Sequence, residues 1–260
     1  MIQSFQIGIL QDGINLNYNT MISGLRFSDL CKWVVDPRYP NRTKFSYKNA
    51  NDGDWVFING DCIQLFLNEF PVLSSKRFLV IIHNSDLTFT EDKFMAIRRH
   101  IYHVFAMNTD FTHPRVTTIP IGFADNQLDF LSTFTREPRE RDIEIYLNIK
   151  AKHNPQKRGA CIRAFENDPR VTNRERVSVP EYYNDLCRSK FVLCPEGTGI
   201  DTHRIYESIL CGAIPVVPRN SLSHLYEKLP VCIVENWTDP FYVPKVTKFE
   251  TDPKFYLQHS

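Results

Sequence analysis

The tightest constraint on this chain is the run Ser189 to Val217, SKFVLCPEGTGIDTHRIYESILCGAIPVV. Phe191 to Cys194 is an apolar stretch with the length of one buried strand. Pro195 ends it, because proline cannot donate to a strand ladder. Glu196, Gly197, Thr198, Gly199, Ile200 and Asp201 follow as a small, polar loop. Asp201 or Thr202 is placed to cap a helix that carries Ile205, Ile209 and Leu210 on one face. Gly212 stops that helix, and Ile214 to Val217 is a second buried strand closed by Pro218. Strand, glycine-bearing loop, helix and strand make a βαβ unit with a right-handed crossover.

A loop running from a strand's C-terminal end into a helix presents free backbone N–H groups and the positive end of a helix dipole. That geometry is an anion site, most often for phosphate. Arg204, in the first turn, is positioned to reach the same anion. Glu207 falls on the same side as His203 and Arg204, where a carboxylate suits the hydroxyls of a ribose. A nucleotide diphosphate therefore fits the stretch. An ordinary surface pair of Arg204 and Glu207 fits the spacing equally well, and a lone His203 at a helix start is more commonly a capping or packing residue.

The rest of the chain supplies a matching frame. Phe5 to Leu10, Trp55 to Ile58, Phe78 to Ile82, His103 to Met107 and Val116 to Ile121 are short apolar runs that predict strands. Helical stretches are expected between them, around Met21 to Val34, Ile63 to Phe70 and Thr90 to Ile101. Residues 36–54, rich in Pro, Asn and Asp, predict a loop. Strands alternating with helices predict a parallel, doubly wound α/β sheet. Polar clusters follow the strand ends at Asp12, Asp61, His83 to Asp86 and Asn108 to Asp110, where ligands bind in open α/β sheets. Residues 129–142 turn polar and charged and predict a linker. Beyond it come a strand at Ile143 to Ile149, a helix to about Glu166, a short strand near Val177, a helix at Tyr182 to Arg188 and a last strand at Cys232 to Glu235. Pattern alone predicts parallel α/β structure with a break into two parts.

Several function classes find no support. The 260 residues carry a net charge of +1, so no nucleic-acid partner is implied. No window has the ~18–20 apolar residues of a membrane span, and the start, MIQSFQIGIL, lacks the features of a signal peptide. The expectation is a soluble, cytoplasmic protein, or a piece from which an anchor has been trimmed. The seven cysteines are odd in number, scattered and without zinc spacing, as free thiols in a reducing compartment would be. Neither a Walker lysine, a Gly-x-Gly-x-x-Gly fingerprint nor a Gly-x-Ser-x-Gly elbow is present. No Asp-x-Asp metal motif follows a strand, and the Asn51 to Asp54 run predicts a turn.

The central run also resembles a known family. Its pattern SKFxLCPxG, a polar loop and HRIYESILCGAIPVV are similar to the nucleotide-sugar-binding segment of the exostosin-like glycosyltransferases. There a similar strand and loop lead into (S/P)RxxEA, a small-residue turn and (I/V)PV. Weaker echoes are IYLNIKAKHNPQKR (145–158) and VTTIPIGFAD (116–125). A looser similarity exists to the donor half of the α1,3-fucosyltransferases. His203 departs from the family pattern, which has a small residue or proline before the arginine.

The resemblance implies two Rossmann-like lobes facing across a cleft, the GT-B arrangement. An acceptor-side lobe would cover 1–138 and a nucleotide-sugar lobe 139–240, with an aromatic tail, 241–260, packed back across both. It implies an inverting transfer of sugar from a nucleoside diphosphate, a UDP-sugar such as UDP-xylose or UDP-galactose, to a glycan hydroxyl. No metal or other cofactor is expected. The donor-binding set is Asn148, Arg158, Glu196, Gly197, Thr198, Gly199, Asp201, His203, Arg204 and Glu207, although Arg158 also fits a solvated helix start. Asp86 is the first choice for the catalytic base and Asp12 the second, and each also fits a plain loop cap. A GDP-fucose-dependent enzyme, a catalytically silent nucleotide-sugar or glycan-binding module and a phosphate-binding scaffold are the rivals.

Overall fold

A computed structural model describes residues 21–136, 139–246 and 249–258 of the chain. Two parallel, five-stranded sheets organise them. The first holds β1 (Trp33–Val35), β2 (Trp55–Asn59), β3 (Phe78–His83), β4 (Ile101–Ala106) and β5 (Val116–Thr118), side by side in chain order. Its inner strands are nearly continuous apolar runs because both faces are covered. On one face α2 (Ile63–Leu67) and α3 (Glu91–Ile97) contribute Phe66, Phe94 and Ile97 to a cluster with Phe45 and Phe78. On the other, Phe27 of α1 (Gly24–Asp29) packs with Phe57, Ile81 and Phe105, and the tail residues Phe249, Tyr256 and Leu257 lie against them.

The second sheet has the spatial order β7 (Val171–Asn173), β6 (Ile143–Leu147), β8 (Ser189–Leu193), β9 (Ile214–Pro218) and β10 (Cys232–Val234). From β6 the chain steps outward to β7, then returns past β6 to β8. The topological switch point therefore falls between β6 and β8, and the crevice beyond their C-terminal ends is where ligands bind in such sheets. α5 (Pro155–Phe165) follows β6, and α6 (Val179–Arg188) precedes β8. The latter starts on a capping box in which Ser178 and Glu181 satisfy each other's backbone N–H. α7 (His203–Leu210) joins β8 to β9, and the short α8 (Ser223–Tyr226) follows β9.

The two halves share one apolar cluster. Met107, Ile121 and Phe123, together with Leu128 and Leu131 of α4 (Leu128–Thr133), pack with Tyr183, Ile205, Tyr206 and Ile209. The stretch expected to be a linker is thus partly helix. Phe241 packs on Phe165 and Phe191 in the second lobe.

Local differences from the sequence expectations have local causes. The helix expected over Met21 to Val34 is the six-residue α1, capped by Ser23 Oγ, and Trp33 to Val35 leave it to pair with β2. The strand near Val177 lies earlier, at Val171–Asn173, where Arg174 N extends the ladder to the carbonyl of Leu147. Arg176 then takes a left-handed conformation that turns the chain into α6. The strand expected at Phe5 to Leu10, and Asp12 after it, lie outside the described residues.

Candidate active site

The loops at the C-terminal ends of the first sheet enclose a cavity of about 820 Å³. Tyr39 follows β1, Asp61 follows β2, His83 to Leu87 end β3, and Ala124 to Asn126 follow β5. His203, the first residue of α7, reaches it from the second lobe. Asp86 is exposed at this cavity, and its carboxylate has no hydrogen-bond or ion-pair partner among the described residues. Asp61 accepts from Ser85 Oγ at 2.5 Å. Asp125 accepts from Tyr39 Oη at 2.5 Å and from Leu25 N at 2.9 Å.

A polar cluster holds the wall of the cavity. Asn84, in a left-handed conformation at the end of β3, donates to Asp36 Oδ2 at 3.1 Å and Tyr39 Oη at 2.7 Å. Its carbonyl accepts from Arg38, which also pairs with Asp36. Burial alone would raise the Asp36 carboxyl, but hydrogen bonds from Arg38, Asn84 and Asn59 outweigh it and hold it below its ordinary value. Buried His83 has Nδ1 3.0 Å from Asn84 Oδ1 and Nε2 3.3 Å from the carbonyl of Pro120. Burial depresses its basicity.

The donor-side candidates gather at the switch point. Asn154 Nδ2 donates to the Gly197 carbonyl at 2.9 Å, fixing the loop after β8 against the start of α5. Thr198 Oγ1 reaches the carbonyl of His153. Arg158 donates Nε to the carbonyl of Glu196 and Nη1 to that of Lys150, each at 3.3 Å. Both partners are neutral, and no carboxylate pairs with Arg158 among the described residues. Burial, then the nearby charge of Arg204, depress its basicity. Arg204 differs: burial opposes its charge, but its neighbours Tyr182, Cys194 and Glu207 outweigh that and raise its basicity, so an added anion would relieve chiefly Arg158.

Arg204 donates Nη2 to the Asn148 carbonyl at the end of β6. Its Nε is buried without a hydrogen-bond partner among the described residues, and so is Thr202 Oγ1 one turn-start earlier. Unpaired buried donors beside a helix N-terminus are what a phosphate would satisfy. Glu196 faces Lys157 at 3.6 Å and Asn220 Nδ2 at 3.3 Å. The Asn148 side chain donates Nδ2 to the Arg174 carbonyl and to Tyr146 Oη.

One expected donor contact needs correction on geometric grounds. Asp201 is only 3% exposed, and its carboxylate accepts from Ile121 N, Thr202 N, Tyr206 Oη and Tyr226 Oη. Its own N–H donates to Asn108 Oδ1 at 2.8 Å. It ties the loop to the first lobe and has no open lone pair to offer a ligand. Glu207 is 5% exposed and accepts from Tyr182 Oη at 2.8 Å through one carboxylate oxygen, a contact that ties α6 to α7. Gly199 lies where the lobes meet, and a Cβ there would sit 2.8 Å from Asn108 Nδ2.

Residues 36–39 and Asp125 did not stand out in the sequence. The first three charged or aromatic groups are hidden in a Pro-rich stretch that reads only as loop. The GFAD segment ending in Asp125 carried the one available hint, an echo without an assigned role. A family model described as the Exostosin GT47 domain matches residues 76–250, from just before β3 through the second sheet. No curated protein matches the chain.

Proposed function

The chain belongs to the exostosin GT47 family and is a glycosyltransferase, and from that premise we propose an inverting transfer from a UDP-sugar to a glycan hydroxyl. The observation that carries the donor assignment is the pairing of Arg158 and Arg204 beside the N-terminus of α7, at the β6/β8 switch point. The diphosphate lies there, and Arg204 Nε with Thr202 Oγ1 supply the donors that have no internal partner. Guanidinium forks and helix dipole stabilise the charge that develops as the nucleoside diphosphate departs. In this proposal they do so in place of a metal ion.

The acceptor occupies the first-lobe cavity, whose polar rim of Asp61, Asp86, Asn84 and Asp125 suits a sugar rather than an apolar molecule. A single displacement needs the acceptor on the face of the sugar opposite the phosphate. Donor at the second sheet and acceptor at the first give that arrangement across the lobes.

The test is a thermal-shift panel of UDP-, GDP- and dTDP-sugars, followed by transfer assays with and without EDTA. A ligand that binds only the folded state raises Tm with the logarithm of its concentration over Kd. UDP-sugars should give the largest rise, and transfer should survive EDTA. A response confined to GDP-fucose would replace the donor, and binding without transfer would mark a silent module.

A further inference from the structure

His203 belongs to the second lobe yet lines the first-lobe cavity. Its Nδ1 stands 2.7 Å from the carbonyl oxygen of Gly122. A carbonyl oxygen only accepts, so Nδ1 carries the hydrogen, and the neutral ring then holds its lone pair on Nε2. The next residue, Arg204, reaches the end of β6 at the donor crevice. His203 is therefore the side chain at which an acceptor in the cavity and a departing diphosphate at α7 come closest along the chain.

We infer that His203 is the general base of the transfer. This rests on the nucleotide-sugar reading above. The acceptor hydroxyl gives its proton to Nε2 while its oxygen bonds to the anomeric carbon. The bond from that carbon to the phosphate oxygen breaks, and its electron pair leaves with the nucleoside diphosphate. The imidazolium returns its proton to water once products depart, so no further reactant is needed.

A base requires an available lone pair and a partner that aims it. The carboxylates around the same cavity sit differently. Asp125 accepts at both of its oxygens, from Leu25 and Tyr39. Asp61 is held through Oδ1 alone by Ser85 and, among the described residues, keeps its other oxygen free, but it stands after β2 in the first lobe and not on the helix that reaches the donor crevice. Asp86 has free lone pairs but, among the described residues, nothing that orients it. His203 has both, through the Gly122 carbonyl.

The experiment compares wild type with His203→Ala and His203→Gln. Glutamine can keep a hydrogen bond to Gly122 through its amide while lacking a basic nitrogen, so it decides the matter if the alanine variant folds poorly. Both should bind the donor with the wild-type thermal shift, while kcat falls by roughly 100-fold or more. Added imidazole should restore part of the rate to His203→Ala. The assignment is overturned if His203→Gln keeps kcat within about tenfold of wild type, or if Asp86→Asn abolishes transfer and His203→Gln does not. A wild-type protein that neither binds nor uses any nucleotide sugar would instead sink the donor reading, a result separable from the first.

Discussion

His203 and Arg204 are consecutive residues on the first turn of α7, and each binds a backbone carbonyl in a different part of the molecule. His203 Nδ1 meets Gly122 beyond β5 in the first lobe, whereas Arg204 Nη2 meets Asn148 at the end of β6 in the second. Successive side chains on a helix diverge by about 100°, which is what lets one turn serve both sides of a cleft. The first-lobe cavity and the proposed anion site are thereby held at a fixed separation by the helix itself. Reaction geometry is set by one rigid element more reliably than by two independent loops.

Removing either guanidinium should weaken donor binding. Charge-assisted hydrogen bonds contribute about 1.5–3 kcal/mol, so Arg158→Ala or Arg204→Ala should each raise the nucleotide-sugar Kd by roughly 10- to 150-fold. Calorimetric titration measures this directly. Arg204→Lys should recover only part of the loss, because an ammonium cannot replace both the Asn148 contact and the buried Nε. An unchanged Kd in both alanine variants would remove the anion site from this crevice.

Much of the scaffold was readable because apolar run length and proline or glycine punctuation are local signals. Phe78 to Ile82 and the β8–α7–β9 run needed only those. Side-chain direction is not local, and there the sequence spoke less. Glu207 has the spacing of a ribose ligand, but nothing in that spacing tells that Tyr182 on α6 takes one of its carboxylate oxygens. Asp201 looks like an ordinary cap until Ile121 and Tyr226 arrive from other segments and Tyr206 turns back from α7. Asp36, Arg38 and Tyr39 sit in a stretch with no periodicity. Their role comes from Asn84, which lies 45 or more positions away in the chain.

His83 makes stability depend on pH in a stated direction. Burial lowers its folded-state pKa below the ordinary value of 6.5. Between the lowered value and 6.5 the unfolded chain binds more protons than the folded one. The contribution is therefore fully present above pH 6.5 and is lost as pH falls toward the lowered value. Tm measured from pH 7.5 to 5 should drop more steeply in wild type than in His83→Gln. Parallel curves would show that the ring does not titrate with unfolding.

Gly24 should tolerate no side chain. A Cβ at this position would lie 1.8 Å from Asn84 Oδ1, the atom that faces His83. Asn84 cannot retreat without giving up Asp36 and Tyr39. Gly24→Ala is expected to cost about 2 kcal/mol or more, as overpacking commonly does, and to raise the acceptor KM while leaving donor Kd near wild type. Denaturant melts and a KM series for each substrate separate the two effects. Wild-type stability in Gly24→Ala would mean that the Asn84 cluster has room the structure does not show.

Asp201 provides the sharpest test of how the lobes are joined. Four donors converge on its carboxylate, one of them the N–H of Ile121 from the first lobe and two of them hydroxyls of the buried Tyr206 and Tyr226. Cutting the side chain to alanine strands all four in the interior, where each unsatisfied group costs about 1–3 kcal/mol and the losses are not additive. Asp201→Ala should therefore lose about 3–5 kcal/mol, in the range found when one partner of a buried charged contact is removed. Tyr226→Phe deletes only one donor and should lose about 1 kcal/mol. Because Asn108 also holds the Asp201 N–H and His203 still meets the Gly122 carbonyl, the alanine variant keeps ties between the lobes and should still fold at low temperature. Transfer measured there should fall with little change in donor Kd, since Arg158 and Arg204 remain in place while the start of α7 is held less firmly against the first lobe. If Asp201→Ala melts like wild type, the apolar cluster around Met107 and Tyr206 and the remaining hydrogen bonds suffice to join the lobes.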